Sequence, residues 1–329
     1  MKTGTSGTSR EKYQELEEEY AKYVGTDDAV ACSTGTAALH LAVSGLGIGK
    51  GDEVIVPDFT MAASAWAVTY TGAKPVFVDC ADDLLIDVSK IERSITQRTK
   101  AIMPVHVYGR VCDMDAIMAI AGKYGLRVIE DCCEAQGAMW NGKPVGSFDV
   151  GCFSFYRNKI IPAEEGGIVT TDDRELSARM RDLRSMCFGD THDYSHLSVG
   201  FNYRMTNSQA NYALTSLSNV NGIQLARYRV QSWYDEMVPE EFRMPRRDVV
   251  WVYDIRHPRK DEVVRALNEA GYAARHGFKP MTSQPMYGFK RYRSRNAYRM
   301  SKEVCYLPVS PRMTREDVAE ICRIIDTVK

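Results

Sequence analysis

The sequence predicts an α/β layer structure with a mainly parallel central sheet, followed by a smaller α+β domain. Between positions 29 and 173, short apolar runs alternate with stretches of helical character. Strands that are apolar on both faces and separated by helices are typical of a parallel sheet covered on both sides. Beyond about Gly222 this alternation ends, which indicates a second structural unit.

The individual elements follow in order along the chain. A charged helix is expected first, because Ser9 can cap the segment EKYQELEEEYAKYVG, which ends at Gly25. The apolar runs and their helical partners are AVAC with TAALHLAVSGLG, EVIVP with TMAASAWAVTYTG, PVFVD with VSKIERSI, AIMPVHVYG with MDAIMAIAGKYG, and then RVIED, VGCFSF and GGIVTTD. Together they predict one layered domain.

The C-terminal part lacks the regular alternation of apolar strands and helices. The segment SLSNVNGIQLARYRVQSWYDEMV predicts a long connecting helix. After it, VVWVYDIRH predicts a strand, DEVVRALNEAGY an amphipathic helix, and TREDVAEICRIIDTVK a closing helix. We therefore expect a large domain over residues 1–221 and a small one over residues 222–329.

The composition argues against several classes of function. A formal net charge of −1 gives no electrostatic reason to expect nucleic acid or an anionic membrane as a partner. No segment offers the roughly 18 uninterrupted apolar residues of a membrane span, and the first residues lack the apolar core of a signal peptide. Nine cysteines without a CxxC pair indicate a reducing compartment and argue against structural zinc. We expect a cytoplasmic protein.

A strand-to-helix turn is the first candidate site. In ACSTGTAALHLA, the residues Thr34, Gly35 and Thr36 stand between an apolar run and a helical segment. Such a turn presents free backbone amides and the positive end of a helix dipole to an anion. The same residue types also make ordinary helix caps, so the turn alone does not distinguish an anion site from a cap.

A carboxylate at a strand end is the second candidate. The run RVIEDCCEAQGA places Asp131 at the carboxyl edge of the predicted sheet, where open α/β folds bind ligands. Three roles are open for it: a turn cap, a partner for a cationic ring nitrogen, or a metal ligand. A metal is disfavoured because no suitable local partner exists; His192 and His196 are four residues apart, but in a polar, loop-like context.

The third candidate is the lysine of FSFYRNK. Lys159 follows an apolar and aromatic run and precedes an acidic, glycine-rich loop. A desolvated lysine at a strand exit could act as a nucleophilic amine, whereas a solvated surface charge is the ordinary alternative. The thiols of Cys32, Cys132 and Cys133 could also act as nucleophiles with His106, although their apolar strand-end positions favour packing.

The order of these candidates is more specific than any one of them. An anion-binding turn, a carboxylate at a strand end and then Ser154 and Lys159 is the arrangement of a pyridoxal-phosphate enzyme. The chain resembles the DegT/DnrJ/EryC1/StrS family of fold-type-I sugar aminotransferases, and most closely its GDP-perosamine synthase-like members. The matching segments are STGTAALHLA, GDEVIVPDFT, GAKPVFVD, RTKAIMPVHVYG, DAIMAIAGKYGLRVIEDCCEAQGA, GKPVGSFDVGCFSFYRNK, EGGIVTTDD, GFNYRM and YLPVSP. They cover roughly residues 10 to 215 in register and the C-terminal portion, which contains YLPVSP, more loosely.

The resemblance implies pyridoxal 5'-phosphate as cofactor and assigns a role to each matching residue. Lys159 would bind the cofactor covalently. Asp131 would contact the pyridine nitrogen and keep it protonated, so that the ring can accept electrons. Glu134 occupies a position that is often His, Gln or Glu in the family, and would lie beside the ring near its phenolic oxygen.

The remaining cofactor contacts follow from the same resemblance. The amides around Gly35 and Thr36 and the hydroxyl of Ser154 would hold the phosphate. Asn202, in GFNYRM, corresponds to a residue that the family delivers from the partner subunit to the phosphate, which implies a homodimer with shared active sites. Met61 stands where the family usually stacks an aromatic residue on the ring; a thioether can also cover a ring face.

One loop departs from the family pattern, and a second resembles the loop with which the family contacts its substrate. Glu164 replaces the glycine that usually precedes EGG and would add charge close to Lys159. Arg275 and Lys279, in ARHGFKPMTSQPMY, lie in a segment that resembles the family's substrate-side loop. They would meet nucleotide phosphates or the donor carboxylate, unless the segment is only a solvated basic loop.

The implied function is amino transfer from L-glutamate to a nucleotide-linked keto sugar, with a 4-keto-6-deoxy hexose as the acceptor. Lys159 would move the proton between Cα and the cofactor. One alternative is a sugar dehydratase of the same family, but those relatives have His in place of the lysine. The other is a non-catalytic, cofactor-binding regulatory dimer, against which the presence of Asp131, Ser154 and Asn202 argues.

Overall fold

The computed structural model describes residues 11–188, 194–288 and 294–328. Within these ranges the helices are α1 Lys12–Val24, α2 Gly35–Gly45, α3 Ala62–Tyr70, α4 Met114–Tyr124, α5 Arg174–Arg184, α6 Asn207–Ser218, α7 Val220–Met237, α8 Lys260–Glu269, α9 Arg295–Glu303 and α10 Arg315–Thr327. The strands are β1 Asp28–Cys32, β2 Glu53–Pro57, β3 Lys74–Val78, β4 Thr99–Ile102, β5 Arg127–Asp131, β6 Met139–Trp140, β7 Lys143–Pro144, β8 Val150–Ser154, β9 Gly167–Thr171, β10 Tyr253–Arg256, β11 Arg275–His276 and β12 Val304–Leu307.

The central sheet has seven strands in the order β1-β9-β8-β5-β4-β2-β3. Strands β8, β5, β4, β2 and β3 pair in parallel, whereas β9 is antiparallel to both β1 and β8. The predicted α/β fold with a mainly parallel sheet is confirmed. The direction of β9 is not encoded in its apolar run. Because parallel strands share one carboxyl edge, β5 and β8 bring Asp131 and Ser154 to the same side of the sheet.

Burial on both faces explains the apolar strands. Along β2, the side chain of Ile55 packs into one buried cluster, which also includes residues of α1 and α4. Its neighbours Val54 and Val56 pack into a second cluster, with residues of α2 and α3. Successive side chains of a strand point to opposite faces, so a strand covered on both sides needs apolar residues at every position.

Two predicted helices differ in the structure. The segment VSKIERSI forms two short 3-10 turns, Val88–Lys90 and Glu92–Ser94, rather than one α-helix. Its β-branched and serine residues are weak helix formers. The predicted long connecting helix is divided into α6 and α7, with Asn219 between them at φ −106° and ψ 9°. This non-helical residue separates α6 from α7.

The N-terminal helix begins at Lys12, and its cap differs from the predicted one. Glu11 is the N-cap residue and forms a capping box with Gln14. Gly25 ends the helix in the left-handed conformation, with φ 79°, which glycine adopts without steric cost. The predicted cap, Ser9, lies outside the described residues.

The part of the chain after α7 forms a second, antiparallel sheet in the order β10-β12-β11. Its core is shared with α7, α8 and α10, and the last helix is capped by Thr314, whose side chain accepts the N–H of Asp317. The predicted strand and both predicted helices are present here. The domain boundary between residues 221 and 222 falls within α7 and stays a prediction. No helix in the described ranges has the length and apolar character needed to cross a bilayer.

Candidate active site

A cavity of about 550 Å³ lies at the carboxyl edge of the central sheet. Its walls come from the start of α2, the ends of β5 and β8, the loop after β8, and aromatic residues of the C-terminal part. All the predicted cofactor residues except Asn202 line this cavity together with Lys159, namely Gly35, Thr36, Met61, Asp131, Glu134 and Ser154. The fold therefore joins residues that are far apart in the sequence.

The start of α2 provides backbone donors. Thr34 is the N-cap residue, and its hydroxyl accepts the N–H of Ala37 at 3.0 Å. Helix geometry leaves the amides of Gly35 and Thr36 without acceptors inside the helix. Both residues line the cavity, so these donors and the positive end of the helix dipole are available to an anion.

Ser154 completes this anion site from the neighbouring strand. A Cβ atom on Gly35 would lie 2.7 Å from the Ser154 Cβ and 3.2 Å from the Cys133 Sγ, so only glycine permits this approach of the helix to β8. The Ser154 Oγ accepts the N–H of Tyr156 at 3.3 Å and keeps its own proton to donate. A phosphate, with several acceptor oxygens, suits this cradle.

Asp131 is a buried carboxylate at the end of β5. Its Oδ2 accepts the hydroxyl proton of Ser64 at 2.8 Å, and its Oδ1 accepts the N–H of Cys133 at 3.1 Å. Neither donor carries a charge, and a buried ionised carboxylate is costly without a cationic partner. The protonated nitrogen of a bound pyridine ring would supply that charge.

Glu134 faces Lys159 from the segment after β5. Its Oε2 accepts the N–H of Tyr108 at 2.9 Å. Tyr108 has φ 53°, in the left-handed region that costs about 1–2 kcal/mol for a residue other than glycine. Burial raises the pKa of Glu134 to about 7, although the positive charge of Lys159 opposes this shift. Glu134 can thus either donate or accept a proton near neutral pH.

The loop after β8 and a tryptophan from the C-terminal part position Lys159. The backbone N–H of Lys159 donates to the carbonyl of Tyr156 at 2.8 Å. Its Nζ lies 3.8 Å from the ring centroid of Trp251, and the indole N–H of Trp251 donates to the carbonyl of Asn158 at 2.9 Å. The guanidinium of Arg227 reaches the Lys159 carbonyl at 3.4 Å. The amine is therefore held inside the cavity from both parts of the chain.

Several of these residues were not predicted from the sequence. Trp251, Phe278 and Tyr306 line the cavity, yet their segments gave only strand or loop patterns. Ser64 lies in an ordinary apolar helix, 67 positions before Asp131. No local signal could have found these contacts, because they depend on packing between distant segments.

The departures from the family pattern have clear structural positions. Met61 is 52% exposed at the N-terminus of α3 and lines the cavity, as expected for a residue that covers a ring. Glu164 has φ 63°, which explains why glycine suits this position. Glu164 is exposed and does not line the cavity, whereas Glu165 does. Within this loop, the glutamate that lines the cavity with Lys159 is therefore Glu165, not Glu164.

Asn202, Arg275 and Lys279 lie apart from the other predicted site residues. Asn202 is exposed and forms a bridge with Ser185, outside the cavity of its own chain. Arg275 pairs in register with Tyr306, whose side chain lines the cavity. Lys279 lines a second cavity instead. Their predicted roles toward cofactor and substrate stay predictions.

The cysteines that could have been nucleophiles are packed thiols. Burial raises the pKa of the Cys32 thiol to about 12, and it raises those of Cys132 and Cys133 well above the usual range. Among the described residues, all nine cysteines are free. The reactivity of Cys32, Cys132 and Cys133 as thiolates is suppressed by these raised pKa values, in agreement with a packing role.

One group of potential metal ligands occurs in the described ranges: His106, Glu130 and Cys132, whose ligand atoms lie within 4.8 Å of one another. The ligand atoms of His106 and Glu130 already have hydrogen-bond partners. The Nδ1 of His106 accepts the N–H of Cys112 at 3.2 Å, which leaves Nε2 to donate to Glu130 at 3.2 Å. Glu130 also accepts two backbone N–H groups, so we assign no metal here.

The structure describes only one histidine of the pair His192 and His196. His192 lies outside the described residues. The exposed His196 has its Nδ1 2.7 Å from the carbonyl of Met186, to which it must donate, since a carbonyl only accepts. Its ring contacts Phe188, as expected for a loop residue.

Comparisons with known proteins identify relatives over nearly the whole chain. The model of the DegT/DnrJ/EryC1/StrS aminotransferase family matches residues 1–326. The GDP-perosamine synthase of Caulobacter vibrioides is 41% identical, over 95% of this chain and 89% of that protein. The UDP-N-acetyl-3-dehydro-alpha-D-glucosamine 3-aminotransferase of Acidithiobacillus ferrooxidans is 40% identical, over 94% and 86%. The crystal structure of S. venezuelae DesV with a ketimine intermediate has a TM-score of 0.90 and 32% identity, over 97% and 91%.

The class of protein that this fold and cavity define is therefore an aminotransferase. The similarity extends across the large sheet, the cavity and the C-terminal part alike. The chain belongs to the DegT/DnrJ/EryC1/StrS aminotransferase family, a family of pyridoxal-phosphate-dependent enzymes. The family, the fold class and the enzyme class predicted from the sequence are confirmed, and neither the dehydratase nor the non-catalytic alternative is favoured.

Proposed function

We propose that this protein transfers an amino group from L-glutamate to a nucleotide-linked keto sugar, with pyridoxal 5'-phosphate bound in the cavity. The observation that carries the proposal is the shared cavity of Lys159, Asp131 and the N-terminus of α2. An amine, a buried carboxylate and an anion cradle are the three groups that this cofactor requires. The relatives' names, a perosamine synthase and an amino-sugar transaminase, support the same reaction class.

The residues of the cavity fit the cofactor chemically. The amides at the start of α2 and the Ser154 hydroxyl suit the phosphate, and Asp131 suits the ring nitrogen. When bound, the cofactor supplies an electron sink for the carbanion that forms as the Cα proton leaves. Met61 and the aromatic wall around Trp251 would cover the ring faces.

Each side chain then has a definite task. Lys159 would hold the cofactor covalently, and its free amine would carry a proton away from and back to the reacting carbons. Asp131, oriented by Ser64 at 2.8 Å, would keep the ring nitrogen protonated. Glu134 holds or gives up a proton beside the ring. Trp251 keeps the Lys159 amine within the cavity between these steps.

The acceptor that we propose is a 4-keto-6-deoxy hexose linked to a nucleotide. The support is the similarity to GDP-perosamine synthases. The UDP-sugar relative of nearly equal identity is named for amino transfer at position 3 of its sugar, so it supports the reaction class but neither this position nor this nucleotide. Arg275, next to the cavity wall formed by Tyr306, is the residue that we propose for contact with substrate phosphates or the donor carboxylate.

We also propose a homodimer with shared active sites. Tyr194, Leu197 and Val199 are strongly exposed apolar side chains that directly precede Asn202, and such a patch is typical of a subunit interface. Asn202 would then reach the phosphate site of the partner subunit. Mixing Asn202→Ala and Lys159→Ala subunits tests this: if Asn202 acts across the interface, heterodimers contain one intact site and regain activity. Absence of recovery in confirmed heterodimers contradicts the proposal.

A cytoplasmic location is part of the proposal. Free thiols at every cysteine position support a reducing compartment. Cell fractionation of the native host would test it.

The decisive test of the function is spectroscopic and chemical. The purified protein with pyridoxal phosphate should show the visible band of a lysine-linked cofactor, and L-glutamate should convert it. Lys159→Ala should lack the band while remaining folded. Addition of a nucleotide-linked 4-keto-6-deoxy sugar should then restore the band and yield an amino sugar. A protein that stays colourless with the cofactor, or turns over normally without Lys159, contradicts the proposal.

A further inference from the structure

A second cavity, of about 760 Å³, lies among α8, β11 and α9. Three lysines line it, Lys260, Lys279 and Lys302, together with His276. The carboxylate among its lining residues is that of Asp261. We call it the basic cavity, defined by these three lysines and His276. Its positive charge contrasts with the near-neutral charge of the whole chain.

Lys260 is the most unusual of these residues because it is only 7% exposed. Its Nζ lies 3.5 Å from the Asp261 Oδ1 and 3.4 Å from the His276 Nδ1. Charge-assisted hydrogen bonds of an ammonium group are normally about 2.7–2.9 Å long, so both contacts are long. A buried ammonium with such weak partners is unfavourable unless another acceptor approaches it.

The other two lysines leave their charges available to a ligand. Lys279 and Lys302 are exposed, and in the part of the chain that the structure describes neither forms an ion pair. The Nζ of Lys302 lies 5.6 Å from the ring centroid of Tyr298, another residue of the cavity wall. Together with Lys260, these side chains surround one space with ammonium donors.

His276 reports the positive field in the cavity. Its half-exposed ring has Nδ1 3.3 Å from the Asp261 Oδ1. Partial burial and the charges of Lys260 and Lys279 lower the pKa of His276, although Asp261 acts in the opposite direction. An anion bound among the lysines would offset their charges and raise the pKa of this imidazole again.

The basic cavity is separate from the catalytic one. Phe278 lines the catalytic cavity, whereas the flanking residues Gly277 and Lys279 line the basic cavity. The segment from β11 to Lys279 is therefore a common wall, with different residues facing the two spaces. No residue assigned to the cofactor lies in the basic cavity.

We propose that the basic cavity binds a phosphate-bearing anion, with a diphosphate group as the ligand that its positive charge fits best. Three ammonium groups can donate up to about nine hydrogen bonds, and a phosphate offers more charge and more acceptor oxygens than a carboxylate. Lysine is a common phosphate ligand because its compact charge needs no fixed plane. The ligand completes the contacts of Lys260.

The test uses inorganic pyrophosphate and the histidine as a local probe. Protein labelled with ¹³C at its histidine rings is loaded with pyridoxal phosphate, freed of unbound cofactor, and titrated by NMR at constant ionic strength. His276→Asn identifies the His276 signal. Saturating pyrophosphate should raise the pKa of His276, and Lys302→Met and Lys279→Met should each weaken binding at least tenfold. Both lysines are exposed, so these variants should fold even if Lys260→Met does not.

Lys100→Met is the control, because Lys100 is an exposed lysine on β4 that does not line the basic cavity. It should bind pyrophosphate as the wild type does. The proposal is overturned if pyrophosphate leaves His276 unmoved, if sodium chloride produces the same shift, or if the double variant of Lys279 and Lys302 binds equally well. This readout is independent of catalysis, so failure of the proposed function would not mimic its failure.

Kinetics distinguishes the two sources of the diphosphate. If the ligand is the diphosphate of the sugar-nucleotide substrate, Lys302→Met should raise KM for that substrate and pyrophosphate should compete with it. If the ligand is a separate phosphate compound, KM should stay unchanged while the NMR shift persists. Either result supports an anion site at the basic cavity.

Discussion

The Nζ atom of Lys159 lies 3.8 Å from the centroid of the Trp251 indole ring. The same indole donates its N–H to the carbonyl of Asn158, one residue before the lysine, at 2.9 Å. Trp251 thus holds both the lysine loop and the lysine amine. A cation on an indole face gains about 0.5–2 kcal/mol, and a typical hydrogen bond gains about 1 kcal/mol.

We expect Trp251→Phe to lower kcat/KM of the transamination about three- to tenfold, because phenylalanine loses the N–H donor and has a weaker face for a cation. Trp140→Phe is the control: Trp140 lies in the β6–β7 hairpin, and its buried indole N–H has no hydrogen-bond partner among the described residues. Equal kcat/KM for the wild type and Trp251→Phe would show that the contacts of Trp251 with Lys159 and Asn158 do not contribute to catalysis.

Ser64→Ala tests the orientation of Asp131. The variant removes a 2.8 Å hydrogen bond to a buried carboxylate, and bonds to charged groups contribute about 1.5–3 kcal/mol. We expect the single-turnover rate with L-glutamate to fall about tenfold or more, with little change in KM. Ser44→Ala should change neither quantity, because the buried Ser44 hydroxyl has no partner in the described part of the chain. A larger effect on KM than on rate would contradict a positioning role.

Gly35→Ala tests the anion cradle. The new methyl group would lie 2.7 Å from the Ser154 Cβ, so the helix and the strand must separate. We expect a loss of about 1–3 kcal/mol in the free energy of unfolding and weaker binding of pyridoxal phosphate in equilibrium dialysis. Gly122→Ala, on α4 with open space around it, should instead stabilise the protein by about 0.5–1 kcal/mol. Unchanged cofactor affinity in Gly35→Ala would show that the anion cradle does not contribute to binding of the cofactor.

Glu134→Gln tests the raised pKa of Glu134. Burial raises this pKa from 4.5 to about 7, so the folded protein prefers the protonated carboxyl. The resulting stability is present below pH 4.5 and is lost as the pH rises through 7. Urea unfolding of the cofactor-free protein between about pH 5 and pH 8 should show the wild type losing up to about 3 kcal/mol relative to Glu134→Gln. A difference that does not vary with pH would contradict the shift.

Glu164→Gly tests the backbone at the departure from the family pattern. Glu164 has φ 63°, where a side chain costs about 1–2 kcal/mol, partly offset by the entropy of glycine in the unfolded chain. We expect a gain of about 0.5–1 kcal/mol in the free energy of unfolding, without a change in kcat. The same substitution at Glu175, in the first turn of α5, should destabilise by about 1 kcal/mol. Destabilisation by Glu164→Gly would mean that its side chain has a compensating role.

The predictable part of the site is local in sequence. Asp131 and Ser154 each end an apolar strand, and Gly35 begins the helix after one. Parallel strands bring such ends to one edge of the sheet, so these residues could be assigned together. The direction of β9 and the division between α6 and α7 could not be predicted, since an apolar run has no direction and one residue, Asn219, makes the break.

The sequence by itself determined the layered fold and the family, because periodicity and short motifs express local backbone preferences. It also singled out Lys159, Asp131 and the turn at Gly35, which line one cavity. Only the tertiary structure decided which side chains surround them. Trp251 reaches Lys159 and Ser64 reaches Asp131 through packing between distant segments, and Lys279 faces a basic cavity rather than the catalytic one. Such contacts depend on how buried surfaces pack against each other. Local sequence patterns do not predict this packing.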